Sequence, residues 1–282
     1  VFQSKSVEAD KTVRTTCSYC GVGCNLEVAV KSDEVLSIRA PQDAVNAGHT
    51  CLKGRYAFKF YNHEDRLKSP LIRKNGELVP CSWDEALDFI KDKFESIKAN
   101  DGSDAIAGIS SARCTNEENY MFQKMIRQLV GTNNIDCCAR VCHSPTAWGM
   151  QQSFGTGAGT NSTADIPLAD LLLVIGANPT SAHPVTGAKI KQQAMSGATL
   201  VVIDPVRTEL ARMADHHLQL KPGTNVAVLN MMQYYIVEAG LVDHQFIKDR
   251  CEGGEEFLEQ IKKLDVDAMA EISGLDKEDV KA

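Results

Sequence analysis

Cys17, Cys20, Cys24 and Cys51 stand in the pattern C-x2-C-x3-C-x26-C, and no other feature restricts the fold as much. Three thiols share one loop, Cys17-Ser-Tyr-Cys20-Gly-Val-Gly-Cys24, and a distant fourth closes the set, so the intervening chain must return to its start. Such a tetrathiolate cage serves a soft metal centre. Gly21 and Gly23 let the backbone curl round a bulky group and turn amide N–H groups toward it. Structural zinc is the commoner use of four spaced cysteines, but zinc ligands usually divide into two short knuckles. Three ligands in one loop suit the corner of a [4Fe–4S] cube better. Zinc stays the competing reading. Disulfides are a weaker third, since a chain of 282 residues needs no covalent staples. A cluster implies electron traffic and a redox enzyme.

Composition narrows the partners. With 43% of its residues hydrophobic, the chain can bury a substantial core and build more than one domain. A net charge of −7, a pI near 5.5 and the lack of any basic run exclude nucleic acid as the main partner. Ten cysteines fit a reducing, cytoplasmic compartment in which thiols serve metals. No run of about 18 apolar residues occurs, so no membrane span is expected. Neither a charged-then-apolar leader nor a twin-arginine pair precedes Cys17. The chain opens on Val1 and a polar, linker-like run at 4–11, and an upstream segment is expected.

The fold class expected is α/β, with a small β-rich cysteine module followed by Rossmann-like domains with mostly parallel sheet. The expected division is 1–66, 67–137 and 138–282. In the first segment, 25–30 and 34–40 read as strands joined by a Lys-Ser-Asp turn, and 49–59 as a helix with Cys51 near its start. The polar run 62–70 marks a boundary. Ser82-Trp-Asp-Glu85 matches a capping box, with Leu87, Ile90, Phe94 and Ile97 at helical spacing beyond it. An apolar strand follows at 105–110. Thr115-Asn-Glu-Glu118 caps another helix, with Phe122, Met125, Ile126 and Leu129 expected on its buried face. Residues 170–175 and 198–203 are continuous apolar runs of the kind buried on both sheet faces, and the helix at 185–195 between them completes a βαβ unit. Beyond Gly223 the pattern is helical.

Ligands of an open parallel sheet bind beyond the carboxyl ends of its strands. Here those ends read Gly176-Ala-Asn178-Pro-Thr-Ser-Ala-His183-Pro and Asp204-Pro-Val-Arg207. Asp204 can accept from a purine edge or a ribose hydroxyl, and Arg207 can face phosphate. Gly223-Thr-Asn225 opens a helix whose free N–H groups can hold phosphate oxygens. Singly these are ordinary turns and an ordinary helix start; together they point to a nucleotide-bearing cofactor. Gly155-Thr-Gly-Ala-Gly-Thr160 fails the dinucleotide fingerprint, because its third glycine comes one position early and no strand precedes it, and it reads as a flexible loop. In Cys137-Cys-Ala-Arg-Val-Cys142-His143, buried thiol packing competes with a reactive or metal-bound thiolate beside a titratable base.

The cysteine loop, Cys51-Leu-Lys53-Gly-Arg, the stretch from Ser111 through Arg113 to Tyr120, Asp136 to His143 and Gly176-Ala-Asn-Pro strongly resemble molybdopterin-dependent formate dehydrogenases of the dimethyl sulfoxide reductase superfamily. The resemblance runs in order along nearly the whole chain. It implies that Cys17, Cys20, Cys24 and Cys51 hold a [4Fe–4S] cluster, with Lys53 between cluster and pterin. It implies further that Cys142 ligates molybdenum or tungsten and that His143 meets substrate or accepts its proton. Arg113, Asn178, Asp204, Gly223 and Asn225 match positions around a bis(molybdopterin guanine dinucleotide). The sequence departs from that pattern at Val206 and Ser181, where a relative has an arginine and an acidic residue. Family chains run several hundred residues longer, so the N-terminal part of a catalytic subunit is expected, working with iron–sulfur or flavin electron-transfer subunits in a hetero-oligomer. Nitrate reductase is the alternative enzyme, but there the metal cysteine is typically followed by Met, not by a residue like His143. A non-catalytic electron-wiring subunit is the alternative of another class.

Overall fold

The cysteine loop is the tip of a hairpin. Strands β1 (Lys11–Thr16) and β2 (Asn25–Lys31) pair antiparallel with Thr16 opposite Asn25, so strand pairing itself brings Cys17 and Cys24 together. β3 (Glu34–Arg39) completes a sheet of order β1-β2-β3. This computed structural model describes residues 8–282, and the start of the polar run at 4–11 lies outside the described residues. β2 and β3 fall where the alternation places them, joined by Ser32 and Asp33 at φ 48 and 63, which the tight reversal demands. β1 is not legible in the pattern because all six of its residues are exposed. Helix α1 (Leu52–Tyr56) starts just after Cys51 and is shorter than the expected 49–59, running on as a 3-10 turn, Ala57–Asn62.

Next come the hairpin β4 (Leu71–Lys74) and β5 (Glu77–Pro80), helix α2 (Trp83–Asp101), strand β6 (Gly108–Ser110), helix α3 (Asn116–Lys124), strand β7 (Ile135–Cys137), the single turn α4 (Ala139–Cys142) and helix α5 (Ser144–Phe154). β6 and β7 are parallel. Ser82 caps α2 by accepting from Glu85 N, but the Glu85 carboxylate turns to Lys74 Nζ at 2.7 Å, so the reciprocal half of that box is not made. At Thr115 both halves close, with Glu118 N donating to the hydroxyl at 3.2 Å and Thr115 N to the Glu118 carboxylate at 2.7 Å. Such a cap contributes about 1 kcal/mol. Past Lys124 the helix widens into a π turn, Met125–Val130, closed by Gly131 N donating to Ile126 O at 3.0 Å. Residues 155–160 follow α5 as a loop.

The π turn corrects the expected buried face. Ile126 and Val130 are each 2% exposed and pack with Ile106 against Phe94, Ile97 and Phe122, whereas Leu129 is 73% exposed. The i→i+5 spacing of a π turn advances the inward position by one residue. Ile126→Ala should therefore cost about 2–5 kcal/mol of unfolding free energy, and Leu129→Ala no more than about 0.5. Urea unfolding of both variants checks this, and equal losses would restore the original face.

The remaining strands are β8 (Leu171–Ile175), β9 (Thr199–Ile203) and β10 (His216–Leu218), all parallel, in the order β10-β9-β8. Between them run α6 (Pro179–Ala182), α7 (Pro184–Met195) and α8 (Glu209–Met213), and after them α9 (Asn225–Glu238), α10 (His244–Arg250), α11 (Gly254–Ile261), α12 (Val266–Ser273) and α13 (Lys277–Lys281). Leu200, Val202 and Ile203 of the central strand are fully buried, worth about 1.5–3 kcal/mol each. Val174, Ile190, Leu200, Val202 and Leu210 form the core on one side; Ile203, Leu218, Val228 and Met231 form it on the other. β8 departs from the double burial expected of it. Leu171, Leu173 and Ile175 remain 57%, 44% and 36% exposed, because β8 is the sheet edge and α9 packs over β9 and β10. By internal contacts the chain forms two compact units, residues up to Arg55 with Ser162–Ala282, and Tyr56–Asn161.

Candidate functional site

The cysteine loop is closed by Cys17 N donating to Cys24 O at 2.8 Å, directly beyond the last strand pair. Cys24 is buried, and Cys17, Cys20 and Cys51 are partly so. Burial, reinforced by the three neighbouring thiols Cys17, Cys20 and Cys51, pushes the Cys24 thiol up from 9.0 to about 11. All four sulfurs thus lie within electrostatic reach. Among the described residues, however, no three His, Cys, Asp or Glu side chains converge as ligands of one metal ion. Tetrahedral zinc at about 2.3 Å per bond needs thiolates about 3.8 Å apart. Three thiols in one loop with a distant fourth suit a cube whose corner irons each take one thiolate.

Two residues whose structural part motif reasoning passed over, Asn46 and Gly54, hold this loop. Asn46 is fully buried; its side chain accepts from Asn25 N at 2.9 Å and donates to Asn25 O at 3.2 Å and His49 O at 2.6 Å. One amide thereby fastens the residue after Cys24 to the segment entering Cys51. Gly54 sits where a Cβ would press on Thr50 Oγ1 at 2.6 Å and meet Cys17 Sγ at an ordinary contact distance of 3.6 Å, so glycine relieves the segment entering α1 beside the loop. Gly23 is needed differently, for its φ of 67 with nothing nearby. A lone Asn before a Cys gives no pattern signal; its burial follows from long-range pairing alone. Lys53, beside Gly54, is exposed.

In the same unit the ends of β8 and β9 lie side by side, since Gly176 N donates to Ile203 O at 2.9 Å. Gly176 takes φ 58 and turns the chain toward Asn178, whose carbonyl accepts from Ser181 N and Ala182 N. Asp204 is buried and one of its carboxylate oxygens accepts from Val206 N at 2.7 Å, while its carbonyl faces His217 Nε2 at 3.0 Å. Gly176, Asn178, His183, Arg207, Gly223 and Asn225 are exposed. Gly223 (φ 84) precedes α9, and the Thr224 hydroxyl donates to Lys221 O at 2.7 Å instead of capping the helix. The start of α9 therefore has N–H groups to offer an anion.

In the second unit, a cavity of about 310 Å³ opens at the carboxyl ends of β6 and β7, lined by Ser110, Ser111, Asn119, Gln123, Asp136 and Cys137. Ser110 Oγ is hydrogen-bonded to Asn119 Oδ1. Arg140, at 2.6 Å, holds the Asp136 carboxyl below the usual carboxylate range. The Cys138 thiol is used structurally, accepting from Ala112 N at 3.3 Å. Cys142 and His143 are exposed at the corner between α4 and α5, with His143 N donating to Ala139 O and its carbonyl accepting from Ala147 N. Arg113 is exposed on the loop after β6, its N donating to Ser111 Oγ at 3.1 Å. The adjacent Cys-His pair that the sequence singled out thus stands on a backbone corner with both residues exposed.

A tetrathiolate loop in one unit with paired parallel strand ends is an arrangement suited to a metal-cluster redox protein. The Fe4S4 domain model of molybdopterin oxidoreductases matches residues 10–63, and the molybdopterin oxidoreductase model matches 66–269. The chain belongs to the molybdopterin oxidoreductase family, and its cofactors are a [4Fe–4S] cluster and a molybdopterin carrying molybdenum or tungsten. It is 44% identical to the F420-dependent formate dehydrogenase 1 subunit alpha of Methanococcus maripaludis over 93% of its own length and 39% of the relative's. It is 45% identical to the corresponding subunit of Methanocaldococcus jannaschii and 40% identical to formate dehydrogenase H of Escherichia coli, covering 95% and 96% of this chain and 39% of each relative. Acetylene hydratase from Pelobacter acetylenicus shares the fold at a TM-score of 0.78 and 28% identity over 96% of this chain and 38% of that one. The chain spans about two fifths of the length of these relatives.

Two outcomes follow for the loop. Asn46→Ala removes three hydrogen bonds and strands buried backbone groups, which should cost about 2–3 kcal/mol and lower iron and sulfide content, read by chemical assay and thermal melts. For the metal-free protein the sign of the Cys24 shift sets the pH window. Its folded pKa is raised, so the stability it contributes is complete below pH 9.0 and is lost as pH rises through about 11. Melting temperature should fall across that window and fall less in Cys24→Ala; parallel profiles would show that Cys24 is not the group responsible.

Proposed function

We propose that this chain is the cluster- and cofactor-binding portion of the alpha subunit of a molybdenum- or tungsten-dependent formate dehydrogenase. The observation that carries this reading is the adjacent, exposed Cys142-His143 pair just beyond the parallel β6–β7 ends, in a chain 40–45% identical to proteins named as formate dehydrogenases. Cys17, Cys20, Cys24 and Cys51 are the cluster ligands in this reading. Gly176, Asn178, Asp204, Arg207, Gly223 and Asn225 receive a guanine dinucleotide arm, and Arg113 lines the cofactor in the other unit. The donor set fits: soft thiols for iron, a soft thiol for molybdenum or tungsten, and an uncapped helix start for phosphate.

The reaction is HCOO⁻ → CO2 + H⁺ + 2e⁻. When bound, the pterin-held metal supplies a two-electron acceptor. Cys142 ties that metal to the protein as a thiolate. His143, one residue away, takes the proton, a role suited to imidazole near neutral pH. Lys53 places a cation beside the cysteine loop, offsetting the negative charge gathered there. Formate offers little surface to grip, so positioning and electrostatics supply most of the rate. Iron–sulfur or flavin subunits are the partners expected to take the electrons, in a cytoplasmic hetero-oligomer. Two relatives are named F420-dependent, which makes a deazaflavin the first acceptor to test. No helix among the described residues is long and apolar enough to cross a membrane.

The protein purified at its natural length should contain molybdenum or tungsten and reduce a viologen dye with formate. A metal-loaded preparation inert to formate overturns the substrate, and iron without either metal indicates an electron-wiring subunit. Cys142→Ser should cut turnover at least about 10²-fold and change the metal spectrum, because a hard oxygen replaces a soft ligand. His143→Ala should cut turnover about 10²–10⁴-fold and leave the resting metal signal unchanged. Parent-rate turnover by His143→Ala removes the pair from the active site.

A further inference from the structure

His183 follows α6 and precedes Pro184 at the start of α7, and its ring lies toward the cysteine loop. Its Nε2 lies 3.6 Å, and its Cδ2 4.0 Å, from the position a Cβ on Gly21 would occupy, so the imidazole edge faces the backbone between Cys20 and Cys24. The hydrogen bonds His183 makes among the described residues are backbone ones, N to Pro179 O at 2.9 Å and O from Gly187 N at 3.0 Å, which leaves the ring nitrogens for another partner. Backbone strain does not account for this placement. Gly187 lies 2.7 Å from Thr180 backbone atoms by the same Cβ measure, so α6 and α7 pack tightly and hold His183 at their junction. The same helix pair touches the cysteine module once more, where Lys189 Nζ donates to Val45 O at 3.1 Å.

We propose that His183 is a positioning residue for the iron–sulfur cluster, set by the α6–α7 junction against Gly21 so that a ring N–H faces the cluster loop and raises the cluster's reduction potential. The inference rests on the reading of Cys17, Cys20, Cys24 and Cys51 as cluster ligands. A donor directed at cluster sulfur stabilises the reduced, more negative state, so its removal lowers the potential. It also gives His183 a part that its neighbours in the strand-end loop do not have: the loop that receives the nucleotide arm carries, five residues after Asn178, the side chain that touches the cluster module.

The test uses the cluster-loaded protein at its natural length, with His183→Ala, His183→Gln and, as a control on packing alone, Lys189→Ala. Iron and sulfide content of the parent protein is read first, and a parent lacking a cluster overturns both the cysteine assignment and this inference. Cluster potentials then come from redox titration followed by electron paramagnetic resonance. His183→Ala should keep its iron, shift to a more negative potential and alter the line shape, while His183→Gln, which keeps a donor, returns toward the parent and Lys189→Ala stays there. Loss of iron in His183→Ala with retention in His183→Gln also supports the contact. Parent potential and line shape in His183→Ala overturn it, as does equal loss of iron in both His183 variants.

Discussion

Gathering four thiols in one place opposes ionisation of the most buried of them, through its burial and through the other three sulfurs. Cys24 feels both effects, first burial and then Cys17, Cys20 and Cys51. A cationic centre opposes these effects, so cluster binding would stabilise the folded module. The protein prepares for it by fixing backbone rather than side chains. Thr16–Asn25 pairing and the backbone hydrogen bond from Cys17 to Cys24 close the loop, Asn46 pins the returning segment, and Gly54 leaves room for Thr50 beside the Cys17 sulfur.

The strand ends use the same strategy. β8 and β9 are locked in register from Leu171–Thr199 to Ile175–Ile203 over cores in which Leu200, Val202 and Ile203 are fully buried. Rigid strands deliver Gly176 and Asp204 side by side, and the exposed groups beyond them need only loop chemistry to present backbone and polar atoms. Because residues up to Arg55 and Ser162–Ala282 share a compact unit, the sheet that presents these strand ends also steadies the cysteine module, through Lys189 to Val45 and His183 against Gly21.

What could be read from the chain follows from whether a single physical cause acts locally. Cysteine spacing, the apolar runs of β8 and β9, and the Thr115 capping box each carry their cause within a few residues. β1 could not be read, because a strand exposed on all six residues leaves no alternation. The inward shift from Leu129 to Val130 depends on one extra residue in a helical turn, and the open edge of β8 on which strands α9 covers; neither has a local signature. Asn46 and Gly54 are set by contacts with Asn25, Thr50 and Cys17, and they become visible only when the loop is closed.

The division of labour between scaffold and chemistry explains why the fold alone leaves the reaction open. Acetylene hydratase shares this architecture at a TM-score of 0.78 under a name that describes the addition of water, while the formate dehydrogenases share it at higher identity. One fold can thus serve differently named activities, because buried strands and closed loops fix where groups stand without choosing the chemistry they perform. Beyond β6 and β7 the scaffold presents Cys142, His143 and Arg113 as exposed side chains, and in the proposed reading reaction choice falls to them. Exposed groups act in high dielectric, where a charge on formate or a proton on imidazole is worth little. Groups on an exposed corner gain electrostatic strength only where water is excluded, so a layer covering this corner would shape its chemistry as much as the side chains on it do.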